Sequence, residues 1–194
     1  MERASRGDTL IEVMFSFAVF SLMIVGSLSL MNQGQALAER SLEITLVREQ
    51  VDAQIAMAQY MQQNNPSAWQ NLISTKLSST IPSYKGLSSC PNVGDALLDK
   101  SFFFSASSDL STVDYHTIDA TSYLPAVTYA RVDYLPSSPS APKSYSLWAQ
   151  IIKSETNSGS LANAYDLHVT ACWDSVGSSV PMTIGTVVRL YDAS

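Results

Sequence analysis

Val13 to Met31 is a run of nineteen residues without a single charged side chain. As a helix it rises roughly 28 Å, close to the thickness of a bilayer's hydrocarbon core. Its polar atoms are mainly the hydroxyls of Ser16, Ser21, Ser27 and Ser29. Those hydroxyls can bond back to carbonyls one turn earlier and, with Gly26, suit close helix–helix packing. Glu12 stands directly before the run. An acid in lipid costs about 2.5–3.5 kcal/mol at a helix centre and less near an end, so a chain that keeps one there needs a partner charge for it. The preceding leader, Met1-Glu2-Arg3-Ala4-Ser5-Arg6-Gly7, holds two arginines and one acid. By the positive-inside rule it stays on the cytoplasmic side, with the C-terminus outside.

A secretory signal peptide would have a shorter apolar region, about 7–15 residues, ending in a small-residue cleavage site; this run is longer and lacks an Ala-x-Ala exit. An ordinary signal anchor explains the length and the arginines but not Glu12. The string Gly7-Asp8-Thr9-Leu10-Ile11-Glu12-Val13 resembles the N-terminal motif of type IV pilins and type II secretion pseudopilins. The resemblance covers about 25 residues. It implies that a prepilin peptidase cuts the Gly7–Asp8 bond. Glu12, fifth after the cut, then meets the new α-ammonium of a neighbouring subunit inside a filament. Opposite charges in a low-dielectric bundle pair strongly and fix axial register. Two departures point toward a minor subunit: Asp8 stands where the family usually has Phe or Met, and Ser29 where many major pilins have a helix proline. Arg6-Gly7-Asp8 also spells an integrin-ligand triplet, but one that abuts the membrane run and that processing would split.

The formal charge of −6 becomes −7 once the leader, with its two arginines and one glutamate, is removed. An acidic chain is poorly suited to nonspecific DNA binding, which needs a Lys/Arg surface. Cys90 and Cys172 are the only cysteines. In an exported domain such a pair is expected to form a disulfide, contributing up to roughly 4 kcal/mol in the chain-entropy model.

Helical spacing continues beyond the membrane run. Ile44, Val47, Val51, Ile55 and Ala58 form one apolar stripe, with Leu37 a heptad before Ile44. Arg40, Glu43, Glu49, Gln50, Gln54 and Gln63 occupy the other positions. No proline interrupts from Asp8 to Asn65, which predicts one helix from about Thr9 to Gln63; a break near Asn32-Gln33-Gly34 is the alternative. A short helix from Ser67 to about Leu77, capped by Ser67 or Asn65, follows Pro66. Residues 78–99 are Ser-rich and irregular, and Ser101–Ser105 suits a buried strand. Four further strands are expected at Val127–Leu135, Tyr145–Ile152, Tyr165–Trp173 and Thr183–Tyr191, with short turns that favour antiparallel pairing. The organisation expected is a leader at 1–7, a membrane or filament helix at 8–31, an amphipathic half at 32–63, a variable connection at 64–125 and a sheet at 126–194. The fold class is α+β and pilin-like: a long helix on a roughly four-stranded antiparallel sheet that covers its apolar stripe.

No catalytic motif, phosphate loop or metal-ligand spacing is present, and neither an enzyme nor a cofactor is expected. His168 and Cys172 share a strand face, a weak hint of thiol or metal chemistry against a surface histidine beside a disulfide. Trp69, Trp148 and Trp173, and the cluster Tyr115, Tyr123, Tyr129 and Tyr134, could be ligand platforms but suit core positions better. Asp95 and Asp99, four apart, are ordinary on a solvated segment.

The leading expectation is a minor type IV pilin-like subunit, processed by prepilin peptidase and polymerised with pilin subunits at the cell surface. A minor pseudopilin has the same anchor but serves secretion. A DNA-capturing competence pilin would use Lys85, Lys143 and Lys153, and a tethered binding module would never polymerise and would keep Arg3 and Arg6.

Overall fold

The computed structural model describes residues 8–80, 87–107, 112–134, 141–154 and 163–192. The leader with Gly7, Lys85 and the expected turns at 136–139 and 157–160 lie outside them. The chain divides into two units, Met1–Ser41 and Leu42–Ser194.

Helix α1 runs unbroken from Asp8 to Asn64, 57 residues, with Gly34 inside it. In the first unit its apolar side chains are exposed on every side. Helix α2, Pro66–Lys76, begins where proline forbids α1 to continue. Asn65 is its cap, accepting from the Ala68 N–H at 3.2 Å, with Pro66 in the first turn.

The second unit is α+β. Among the described residues nine strands follow: β1 Leu77–Ser78, β2 Phe102–Ala106, β3 Val113–Thr117, β4 Tyr123–Leu124, β5 Arg131–Asp133, β6 Lys143–Tyr145, β7 Leu147–Lys153, β8 Asn163–Trp173 and β9 Met182–Asp192. The main sheet has six strands, in the order β3-β2-β7-β8-β9 with β1 also on β7. All its pairings are antiparallel except β1 with β7. The last two strands form the longest ladder, from Asn163↔Asp192 to Trp173↔Met182. A smaller sheet, β4-β6-β5, lies beside it in sequence.

Period-two alternation divides β7 and β8 between two cores. Leu147, Ala149 and Ile151, with Leu167, Val169, Ala171 and Trp173, join Val47, Val51, Ala58 and Met61 of α1. Trp148 and Cys172 point the other way and pack with Leu98 and Tyr123, with Cys90 against them. The Ser-rich connection therefore covers the second sheet face. Cys90 and Cys172 are disulfide-bonded with Cα atoms 5.6 Å apart, which ties that connection to β8 across 82 residues.

Four expectations need correction. Gln54, placed among the polar positions, is fully buried. Strand β2 meets β7 only at Phe102↔Ala149, so the backbone of Phe104 lacks a strand on that side. The Gln54 amide supplies it: Phe104 N–H donates to Oε1 at 2.7 Å and Nε2 donates to Phe104 O at 2.9 Å. Nε2 also reaches the Tyr134 hydroxyl at 3.1 Å. Second, the strand expected at Val127–Leu135 shrinks to β5, because β6 offers it only three partners; Val127 is 90 % exposed. Third, Tyr145–Ile152 is not one strand. Ser146 has φ +50°, the left-handed region, and breaks it into β6 and β7 in different sheets. Its neighbours hold it there: Ser146 N–H donates to Leu124 O, its Oγ accepts from Ala126 N–H, and its carbonyl accepts from Cys172 N–H, all at 2.9 Å. Fourth, Leu37 is 65 % exposed while Ile44 is partly buried, so the buried stripe begins at Ile44.

Candidate functional site

The first unit presents a helix that is apolar all round. Phe15, Phe17, Leu22, Val25 and Leu30 are 66–73 % exposed. This helix is long and apolar enough to cross a membrane. Three of its serines bond back to carbonyls one turn earlier. Ser16 Oγ donates to Glu12 O, Ser21 Oγ to Phe17 O and Ser27 Oγ to Met23 O, each at 2.8 Å. The hydroxyls therefore cost little in lipid. Glu12 is exposed, and among the described residues its carboxylate has no partner. Asp8 opens the helix; Gly7, on the other side of the expected cut, is outside the described residues.

In the second unit, polar side chains of α1 fasten it to the strands. Glu43 Oε2 accepts from Trp173 Nε1 at 3.0 Å and from Ser175 Oγ at 2.6 Å. Gln50 Oε1 accepts from Val132 N–H at 3.1 Å, and Gln62 Nε2 donates to Tyr191 O at 2.6 Å. With Gln54 these contacts run along the helix segment from 43 to 62 and fix its rotation over the sheet.

The other candidate chemistry resolves into structure. Cys172 is bonded to Cys90, so no thiol faces His168. Among the described residues no group of three His, Cys, Asp or Glu could hold a metal ion. Trp69, Trp148 and Trp173 are each at most 1 % exposed and form core rather than platforms. Of the tyrosines, Tyr123 packs edge-on to Trp148, and burial pushes the Tyr134 hydroxyl above its usual range. Arg131 lies over the rings of Tyr129 and Tyr145, 5.6 and 4.7 Å from their centroids. Asp166 and Arg189, register partners in β8 and β9, form a two-pronged ion pair at 2.7 and 2.9 Å, which holds the Asp166 carboxyl below its usual range.

One pair has no signal in sequence spacing. Ser105 Oγ and His116 Nε2 are 2.7 Å apart across β2 and β3, and the imidazole stacks on Phe103 at 5.3 Å. Burial lowers the His116 pKa, opposed by the charge of Asp114. The pair has the elements of a nucleophile and a base. Ser105 is 4 % exposed, however, and Asp114 acts on the ring through charge alone. The arrangement works as a clasp between two strands. Lys143 and Lys153, the described members of the expected basic group, sit in β6 and at the end of β7.

Comparison with family models, curated proteins and solved structures finds no match for this chain.

Proposed function

We propose that the chain is a minor type IV pilin-like subunit, cut after Gly7 and polymerised through α1 into a filament outside the cytoplasmic membrane. The observation that supports this most is the carboxylate of Glu12, without a partner among the described residues, at the mouth of an apolar, uncharged run of α1. A helix hydrophobic on every side requires lipid or other helices around it. A carboxylate at its entrance gains only if a cation arrives with those helices. The α-ammonium that cleavage between Gly7 and Asp8 would create on an adjacent subunit is such a cation. Leucines and phenylalanines at residues 10–30 would then exchange lipid for neighbouring helices. The second unit would decorate, initiate or cap the fibre.

The test separates anchoring from assembly. Glu12→Ala should leave membrane insertion intact and reduce recovery in sheared filaments at least tenfold. Normal recovery would refute the role of Glu12. N-terminal sequencing of membrane-extracted protein should begin at Asp8; material beginning at Met1 would refute processing.

A further inference from the structure

A cleft of about 600 Å³ opens where the end of α2, the turn at residues 95–101 and the end of β3 converge. It is of a size that takes small molecules. Lys76 and Ser101 line it, along with Asp95, Asp99, Lys100 and Ile118. Most of these polar groups are already engaged in holding the wall. Asp95 Oδ2 accepts from Asn92 N–H at 2.7 Å, and Lys100 Nζ donates to Leu77 O at 2.7 Å. Gln150, buried in β7, donates to the carbonyls of Leu97 and Asp99 at 3.1 Å each and pins the turn from beneath. Lys100 is held at φ +55°. The wall is thus fixed before any ligand arrives.

Three groups are left over. Lys76 makes no hydrogen bond or ion pair among the described residues, although burial has stripped part of its solvent and lowers its pKa; only the charge of Asp99 opposes this. The Asp99 carboxylate lines the same cleft and acts on Lys76 through charge. Ser101 is 1 % exposed, and its hydroxyl has no partner among the described residues. Its backbone is satisfied, the N–H donating to Leu98 O at 3.0 Å and the carbonyl accepting from Ile118 N–H at 3.3 Å. An unpaired buried hydroxyl and a half-desolvated ammonium in one cleft both call for an anionic oxygen. Two lysines and two aspartates leave the lining without net charge, which disfavours a dianion such as phosphate.

We propose that this cleft binds a small zwitterion of the α-amino acid type, its carboxylate between Lys76 and Ser101 and its ammonium toward Asp99. The site is independent of the filament reading. It is tested on the full-length protein in detergent, with L-alanine as the probe and acetate and Gly-Gly-Ala as comparison ligands. The chain has five lysines, so ¹³C-dimethylation gives few NMR signals and keeps their charge. Alanine should shift the Lys76 signal saturably, with a Kd at or below about 1 mM. Lys76→Met and Ser101→Ala, followed by calorimetry on unmethylated protein, should each weaken binding about tenfold. Lys153→Met should leave binding unchanged. Ser101→Ala removes a hydroxyl that bonds nothing among the described residues, so it should not lower the melting temperature, which separates lost binding from lost folding. Absence of a saturable Lys76 shift, or unchanged affinity in Lys76→Met, overturns the site. Acetate binding as tightly as alanine overturns the role of Asp99. Gly-Gly-Ala binding as tightly as alanine identifies a peptide C-terminus as the source of the same carboxylate chemistry and overturns the free amino acid.

Discussion

Residues 10–31 of α1 leave Phe15, Phe17, Leu22 and Val25 exposed by 66–73 %, whereas residues 47–61 of the same helix hide Gln54 at 0 % among Val47, Val51, Ala58 and Met61. Water contact here does not follow the polarity of the side chain. It follows the partners each segment has. The second stretch has a sheet, and within that sheet a strand whose backbone at Phe104 lacks a neighbour, so an amide is the better-fitting group. The first stretch has no strands within its own unit, and its phenylalanines have nothing to leave water for. The stretch is long and apolar enough to cross a membrane, and partners of that kind, lipid or other helices, lie outside the chain.

Equal substitutions in the two stretches should therefore have unequal effects. Phe104→Ala removes a fully buried ring and should lower unfolding free energy by about 4 kcal/mol, measured by denaturant melts of the full chain in detergent. Phe17→Ala should leave the same melt unchanged, since that ring is 67 % exposed. Equal losses would mean that the two stretches unfold as one and would erase the contrast. A smaller effect sharpens the polar half of it. Gln54→Leu keeps the volume but strands the N–H and carbonyl of Phe104, and should cost about 3 kcal/mol. A loss below about 1 kcal/mol would show that packing alone holds the helix to the sheet. The smallest effect lies away from the helix. Asp119 accepts from Thr121 N–H, Thr121 Oγ1 and Ser122 N–H, and these bonds lower its pKa to about 2. A carboxyl with a lowered folded pKa stabilises the fold above its unfolded value of 3.8 and loses that contribution as pH falls through about 2. The group is well solvated, so the contribution is below about 1 kcal/mol. Asp119→Asn should flatten the pH dependence of the melting temperature between pH 4 and pH 2.

The long helix was legible because its two signals, an uncharged run and a three-and-four stripe, need no knowledge of neighbours. Val47, Val51 and Ala58 sit in the core where the stripe put them. The short helix, the buried aromatic strand at Phe102–Phe104 and the alternation of Leu167, Val169, Ala171 and Trp173 were visible for the same reason. Gln54 was not, since its burial depends on a gap in hydrogen bonding fifty residues away. β3 was hidden too: Asp114 and His116 interrupt its apolar pattern because they face away from the helix-side core that Tyr115 packs against. Glu12 stands out from its position in the chain alone, directly before the uncharged run, and its pairing role belongs to the proposal. The cleft beside Lys76 was not legible, because it needs the α2 end, an irregular turn and a strand end to converge.

The elbow at Ser146 sets more than a change of direction. Side chains along β7 alternate, so Leu147, Ala149 and Ile151 feed one core and Trp148 the other. Adding one residue at this joint would turn the strand over, driving an indole toward α1 and a leucine toward the disulfide. A lone serine in a left-handed bend thus acts as the phase marker for both interiors, and the length of the chain at that point is as much a determinant of the fold as any hydrophobic side chain.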